Sequence, residues 1–147
     1  MNIRLMTLND YEGVYSLWLN TPNVKPALNN LDDSKSGIVK YLERNPNTCF
    51  VAEKDGAIIG VILSGHDGRR GYIHHAAVAQ SEQRIGVGTA LVDCAMKALA
   101  GEGINKVALL VYSQNTQGSA FWEKQGFAVR HDLAYRDKEI NELAYIT

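Results

Sequence analysis

The chain has 147 residues, enough for one domain with a sizeable core and short for two. Hydrophobic residues make up 46% and charged residues 21%, as in ordinary globular proteins, and a net charge of −1 supplies no bulk basic field for nucleic acid or an anionic membrane. Cys49 and Cys94 show neither metal-ligand spacing nor a disulfide framework, so two reduced, buried thiols in a cytoplasmic protein are expected. The start MNIRLMTLNDYEG has no apolar leader pattern, and no run approaches about 18 apolar residues, so neither secretion nor membrane insertion is expected.

Asn2 to Met6 alternates as a strand, and Thr7 with Asp10 three residues later resembles a capping box. Tyr11, Val14, Tyr15, Trp18 and Leu19 recur at helical spacing, which predicts a helix over 8–19 stopped by Asn20-Thr21-Pro22. Val24 to Asp33, rich in Asn and Asp, reads as a loop. Ser34 or Ser36 caps a second helix through Leu42, ended by Asn45-Pro46. A meander follows, with strands over 48–53, 57–63 and 72–78 and a hairpin turn at Lys54-Asp55-Gly56. A long helix then carries Val87, Leu91, Cys94, Ala95 and Ala98 on one stripe, and Gly101 and Gly103 close it. Lys106 to Tyr112 reads as a continuous buried strand and 115–125 as a short helix. Phe127 to Tyr135 and Leu143 to Ile146 are candidate closing strands around a turn at Asp137-Lys138.

The turn Gln83-Arg84-Ile85-Gly86-Val87-Gly88-Thr89 is the stretch with most chemistry in it. Two glycines one residue apart allow a sharp bend and close approach of a ligand to the backbone. The N–H groups opening the helix have no intrahelical partner, and the helix dipole makes the spot electropositive, so the turn is a candidate phosphate seat. A dinucleotide fingerprint needs a third glycine where Leu91 stands, and a P-loop needs Lys-Ser or Lys-Thr where Thr89-Ala90 stand.

Gln/Arg-x-x-Gly-x-Gly/Ala after a strand resembles the pyrophosphate motif of the GNAT superfamily of acyl-coenzyme A N-acyltransferases. A second stretch, Asn115 to Phe127, is similar to that family's other signature: an Asn leaving a strand, a short helix with an aromatic pair, then Gly-Phe. The resemblance covers nearly the whole chain. It implies a single α+β domain over 1–147, with a mixed, mostly antiparallel sheet of six to seven strands, about four helices and a splayed cleft. It also implies an N-acetyltransferase moving an acetyl group from acetyl-coenzyme A directly to a primary amine of a small molecule or peptide. No metal is implied, and room is left for a homodimer. Ala77, Val78 and Ala79 would pair with the pantetheine arm, and Gln83, Arg84, Ile85, Gly86, Val87, Gly88 and Thr89 would hold the pyrophosphate. Asn115, Phe121 and Trp122 would also contact the coenzyme.

The amine must lose a proton, since an alkylammonium is overwhelmingly charged at neutral pH. Family members often use a Glu, but Tyr72-Ile73-His74-His75 offers no carboxylate. Strand alternation puts Tyr72 and His74 on one face, taken as the cleft face, so His74 is the candidate base with Tyr72 beside it. Trp122 stands where the family often has an acidic Tyr, and an indole N–H is no useful acid. Tyr135, Tyr112 or solvent would then protonate the departing thiolate. A non-catalytic coenzyme A-binding sensor is the alternative reading.

Overall fold

The computed structural model describes residues 1–146. Strands β1 (Asn2–Leu5), β2 (Phe50–Lys54), β3 (Ala57–His66) and β4 (Gly71–Val78) pair antiparallel in that order. The β2–β3 hairpin turns on Asp55 and Gly56, both at positive φ (51° and 79°), the backbone twist that a two-residue hairpin needs. Asp67 makes the next reversal by accepting the N–H groups of Arg69 and Arg70, each at 2.8 Å. Helix α3 (Val87–Gly101) then carries the chain back across the sheet, so β5 (Val107–Leu109) joins β4 in parallel.

Helices α1 (Tyr11–Leu19) and α2 (Lys35–Arg44) cover one face of the sheet, where Trp18, Leu28, Ile38 and Val51 are buried with Val61 and Ala77. On the other face, α3 and α4 (Thr116–Lys124) pack over Ala52, Ile59, Ile62 and Ile73. A Cβ at Gly60 would stand 2.9 Å from Leu91 Cδ1, so a glycine there lets α3 lie close to the strands. Ser34 caps α2 by accepting the Gly37 N–H at 3.1 Å. The chain before α1 forms a single 3-10 turn, Leu8–Asp10, whose Asp10 carboxylate accepts the Thr7 N–H and pairs with Arg4. No helix among the described residues is long and apolar enough to cross a membrane.

The α+β class and the four helices agree with expectation, while the sheet has five strands rather than six or seven. Phe127 to Tyr135 forms no strand and no turn forms at Asp137-Lys138. The tail instead crosses to the α1–α2 side, where the N–H groups of Asn30 and Ile146 reach the carbonyls of Ala144 and Leu28. With nothing beyond it in the sheet, β5 is an edge three residues long, and Leu110 and Tyr112 are exposed rather than buried. Along α3 the buried stripe is Val87, Leu91, Val92, Ala95 and Leu99; Cys94 and Ala98 are half-buried at its flank. Cys49 is buried, whereas Cys94, expected to be so, is not.

Candidate active site

The β4–β5 ladder ends at Ile73 opposite Leu109. From His74 onward the far edge of β4 has no strand partner, so the two strands part and leave a cleft. The Ala79 N–H bonds Ile59 O across to β3 at 2.8 Å, so by alternation the Val78 N–H and C=O point into the open edge. The Gln83 side chain, which donates to Val78 O at 3.1 Å, lies on that same edge. Ala77 is buried against the α1–α2 core and, like Ala79, turns its backbone groups toward β3, so of the three expected residues Val78 is the one that presents backbone to the open edge.

The loop from β4 to α3 is exposed and bent, with Arg84 (φ 68°) and Gly86 (φ 90°) in the left-handed region. Gly86 is the N-cap of α3 and has no side chain to hydrogen-bond the first-turn N–H groups. Ile85 is exposed, Val87 is core, and the Thr89 hydroxyl accepts from Gln125 Nε2 at 3.0 Å. A Cβ on Gly88 would lie 3.2 Å from the Phe121 ring, which shows how closely α4 abuts this end of α3. Asn115 caps α4 by accepting the Gly118 N–H at 2.9 Å, and half-buried Phe121 and Trp122 pack edge to face 5.1 Å apart. The expected coenzyme contacts thus fall on three neighbouring pieces: the open β4 edge, the bare N-terminus of α3, and the aromatic face of α4.

On the α1–α2 side, aromatic rings line the start of the cleft. Tyr72 and His74 lie 4.4 Å apart, and Tyr41 of α2 meets His74 edge-on at 5.8 Å. His74 is exposed, with Tyr72, Tyr41 and His75 packed around its ring. That surrounding mass and then His75 push its pKa down, to about 4. Burial also raises the Tyr72 pKa, with Tyr135 nearby adding to it. Tyr135 itself is exposed beside Asp137, which raises its pKa.

Sequence reasoning did not single out Asp33 or the role of Trp18. In the β3–β4 register, Leu63 faces His74 and Val61 faces Ala77, so Ile62 opposes both His75 and Ala76: a β-bulge. The bulged His75 has φ 47°, and its carbonyl accepts the indole N–H of buried Trp18 at 2.9 Å. Its Nε2 lies 2.8 Å from Oδ1 of Asp33, a carboxylate only 4% exposed. Asp32-Asp33-Ser34 reads in sequence as a loop running into a helix cap, and no local signal pairs Asp33 with a histidine 42 positions on. Two shallow surface hollows, one beside α1 and the β4–α3 loop and one under α4, lie apart from this cluster.

A family model described as "Acetyltransferase (GNAT) family" matches residues 11–127. An acetyltransferase of Pectobacterium atrosepticum is 30% identical over 124 residues, 84% of this chain and 85% of its own. Among solved structures, Ard1 from Thermoplasma volcanium superposes with a TM-score of 0.75 at 24% identity, covering 88% of this chain and 83% of the other. The PaiA N-acetyltransferase from Thermoplasma acidophilum, solved with coenzyme A, gives 0.75 at 20% identity, covering 88% and 90%. At these identities the two structures show a shared fold.

Proposed function

The chain belongs to the acetyltransferase (GNAT) family, and on that premise we propose that it transfers the acetyl group of acetyl-coenzyme A directly to a primary amine of a small molecule or peptide. The observation that carries the reading is the open β4 edge meeting the uncapped, exposed N-terminus of α3. Free N–H groups at a helix start, with no side chain over them, suit a pyrophosphate. A strand edge with unpaired backbone suits an extended amide-bearing arm such as pantetheine. The coenzyme A bound to the PaiA neighbour supports the same donor here.

In this reading the residues divide the work. Val78, between Ala77 and Ala79, presents its backbone to the arm, and Gln83 to Thr89 seat the pyrophosphate. Asn115, Phe121 and Trp122 form the facing wall. The acetyl thioester supplies an activated carbonyl carbon. The Val78 N–H donates to the carbonyl oxygen as negative charge builds on it. In this reading Tyr72 and His74 flank the incoming amine, and Tyr135 gives the sulfur its proton. The unpaired cysteines fit a cytoplasmic setting.

The test is thiol release from acetyl-coenzyme A against a panel of primary amines, beside a melting-temperature panel of acetyl-coenzyme A, NAD and ATP. The expected result is thiol release with at least one amine and stabilisation by acetyl-coenzyme A alone, roughly 2.7 kcal/mol at about 100 times Kd. Stabilisation with no release from any amine would favour the non-catalytic sensor, and an equal shift with NAD would overturn the donor assignment.

A further inference from the structure

His75 and Asp33 are hydrogen-bonded to each other close to where β4 and β5 part, and neither has a role in the assignments above. We propose that His75 takes the acceptor amine's proton through its Nδ1 atom, and that Asp33 is the positioning residue that fixes the imidazole for that task. The proposal rests on the acetyl-transfer reading above.

Position is the first argument. His74 and His75 are the first residues of β4 beyond the last pair with β5, so the bulge sets the His75 backbone where the strands part. A left-handed conformation at a non-glycine residue is uncommon and costs stability, and such strain gathers where side chains must be aimed. One side chain holds the strain in place through two contacts: the Trp18 indole N–H donates to the His75 carbonyl, and the Trp18 ring centroid lies 5.2 Å from that of His75.

The second argument is the hydrogen-bond inventory. A carboxylate only accepts, so the 2.8 Å contact to Asp33 Oδ1 places the hydrogen on His75 Nε2 and the lone pair on Nδ1. Asp33 cannot turn away, because its Oδ2 accepts the Asn29 N–H at 2.9 Å and its carbonyl accepts the Tyr11 hydroxyl at 2.7 Å. No buried side-chain polar atom among the described residues lacks a partner, and His75 Nδ1 has no protein partner, so that nitrogen is not sealed from solvent. A histidine held by a buried carboxylate on one nitrogen and open on the other is a proton acceptor of fixed direction.

The titratable groups around it are His74 on its own strand, Asp32 and Asp33 before α2, Tyr11 and Tyr15 on α1, Tyr41 on α2, and Tyr145 in the tail. In the step, Nδ1 takes one proton from the ammonium. The freed nitrogen lone pair forms the C–N bond to the thioester carbonyl carbon, and the C–S bond breaks with its electron pair on sulfur. Tyr135 gives that sulfur its proton and is reprotonated by the second proton leaving the nitrogen, and the imidazolium returns the first to solvent.

His75→Asn is the informative substitution, because Asn tolerates the left-handed backbone. With an amine that the native protein acetylates, kcat/KM should fall by roughly 10²-fold or more while the acetyl-coenzyme A Kd stays unchanged, and the acid limb of the pH–rate profile should move up toward the ammonium's own ionisation at about pH 10. Asp33→Asn should cost a similar factor, because its amide donates to Nε2 and drives the hydrogen onto Nδ1; Asp33→Glu should recover part of the rate. Nitrogen-15 spectra of the native imidazole should show the Nε2–H tautomer, a reading that needs neither turnover nor a folded variant. A His75→Asn protein within threefold of native kcat/KM, an unchanged acid limb, or an Nδ1–H tautomer in the native protein would overturn the proposal alone. A native protein that releases thiol with no amine would overturn the acetyl-transfer reading and this one with it.

Discussion

Placing a carboxylate at Gly86 separates coenzyme binding from folding. A Cβ at Gly86 meets nothing within 4 Å, so a substitution there changes backbone strain and charge without a steric clash. At φ 90° a side chain costs about 1–2 kcal/mol of stability, which Gly86→Ala should show in full. Gly86→Asp carries the same strain but gains about 0.3–1 kcal/mol from a negative charge at the helix start, so it should be the more stable of the two. Toward the coenzyme the order reverses. Two like charges about 4 Å apart repel by about 1 kcal/mol in water and about 4 kcal/mol near a protein surface. A middle value of about 2 kcal/mol weakens Kd roughly 30-fold. Calorimetric titration of both variants with acetyl-coenzyme A, at low and high salt and beside melting temperatures, reads each quantity separately, and salt should narrow the difference. Gly88→Asp would be less clean, because its Cβ would press on the Phe121 ring at 3.2 Å and disturb α4 as well. A folded Gly86→Asp protein that binds within threefold of Gly86→Ala would refute the phosphate seat.

Trp122→Phe should lower kcat/KM less than tenfold, since the indole has no hydrogen-bond partner among the described residues and is no acid; loss of all activity would make it part of the chemistry. Tyr135→Phe should lower kcat roughly tenfold or more if that hydroxyl supplies the sulfur's proton, and a native rate would pass the role to Tyr112 or solvent. The Arg4 guanidinium, then the Thr7 N–H, hold the Asp10 carboxyl below the ordinary carboxylate range. Its stabilisation is therefore complete above the unfolded value of about 3.9 and is lost as pH falls through the lower folded value. Asp10→Asn should cost about 1–2 kcal/mol at neutral pH, toward the low end because Arg4 is one-third exposed, and should flatten the acid limb of stability; parallel acid slopes would refute this.

Local chemistry alone determined much of this protein. The Asp55-Gly56 hairpin, a serine cap on α2 and the Gly86 turn each follow from a few adjacent residues whose conformational options are narrow, and the sequence reads them directly. The order of four strands follows from their succession and short connections. What only the tertiary structure decided lies in contacts between distant segments. Phe127 to Tyr135 has the alternation of a strand, yet pairing needs an edge at the right distance and angle, and the tail finds Leu28 to Asn30 instead of β5. Strict alternation put His74 toward the cleft and His75 away from it. One extra residue opposite Ile62 breaks that parity, and no periodicity argument locates a bulge that Trp18 and Asp33 stabilise from other elements. The glycine turn was legible because its chemistry is in its own backbone; the Asp33–His75 pair was not, because it exists only once α1, the loop before α2 and β4 have packed together.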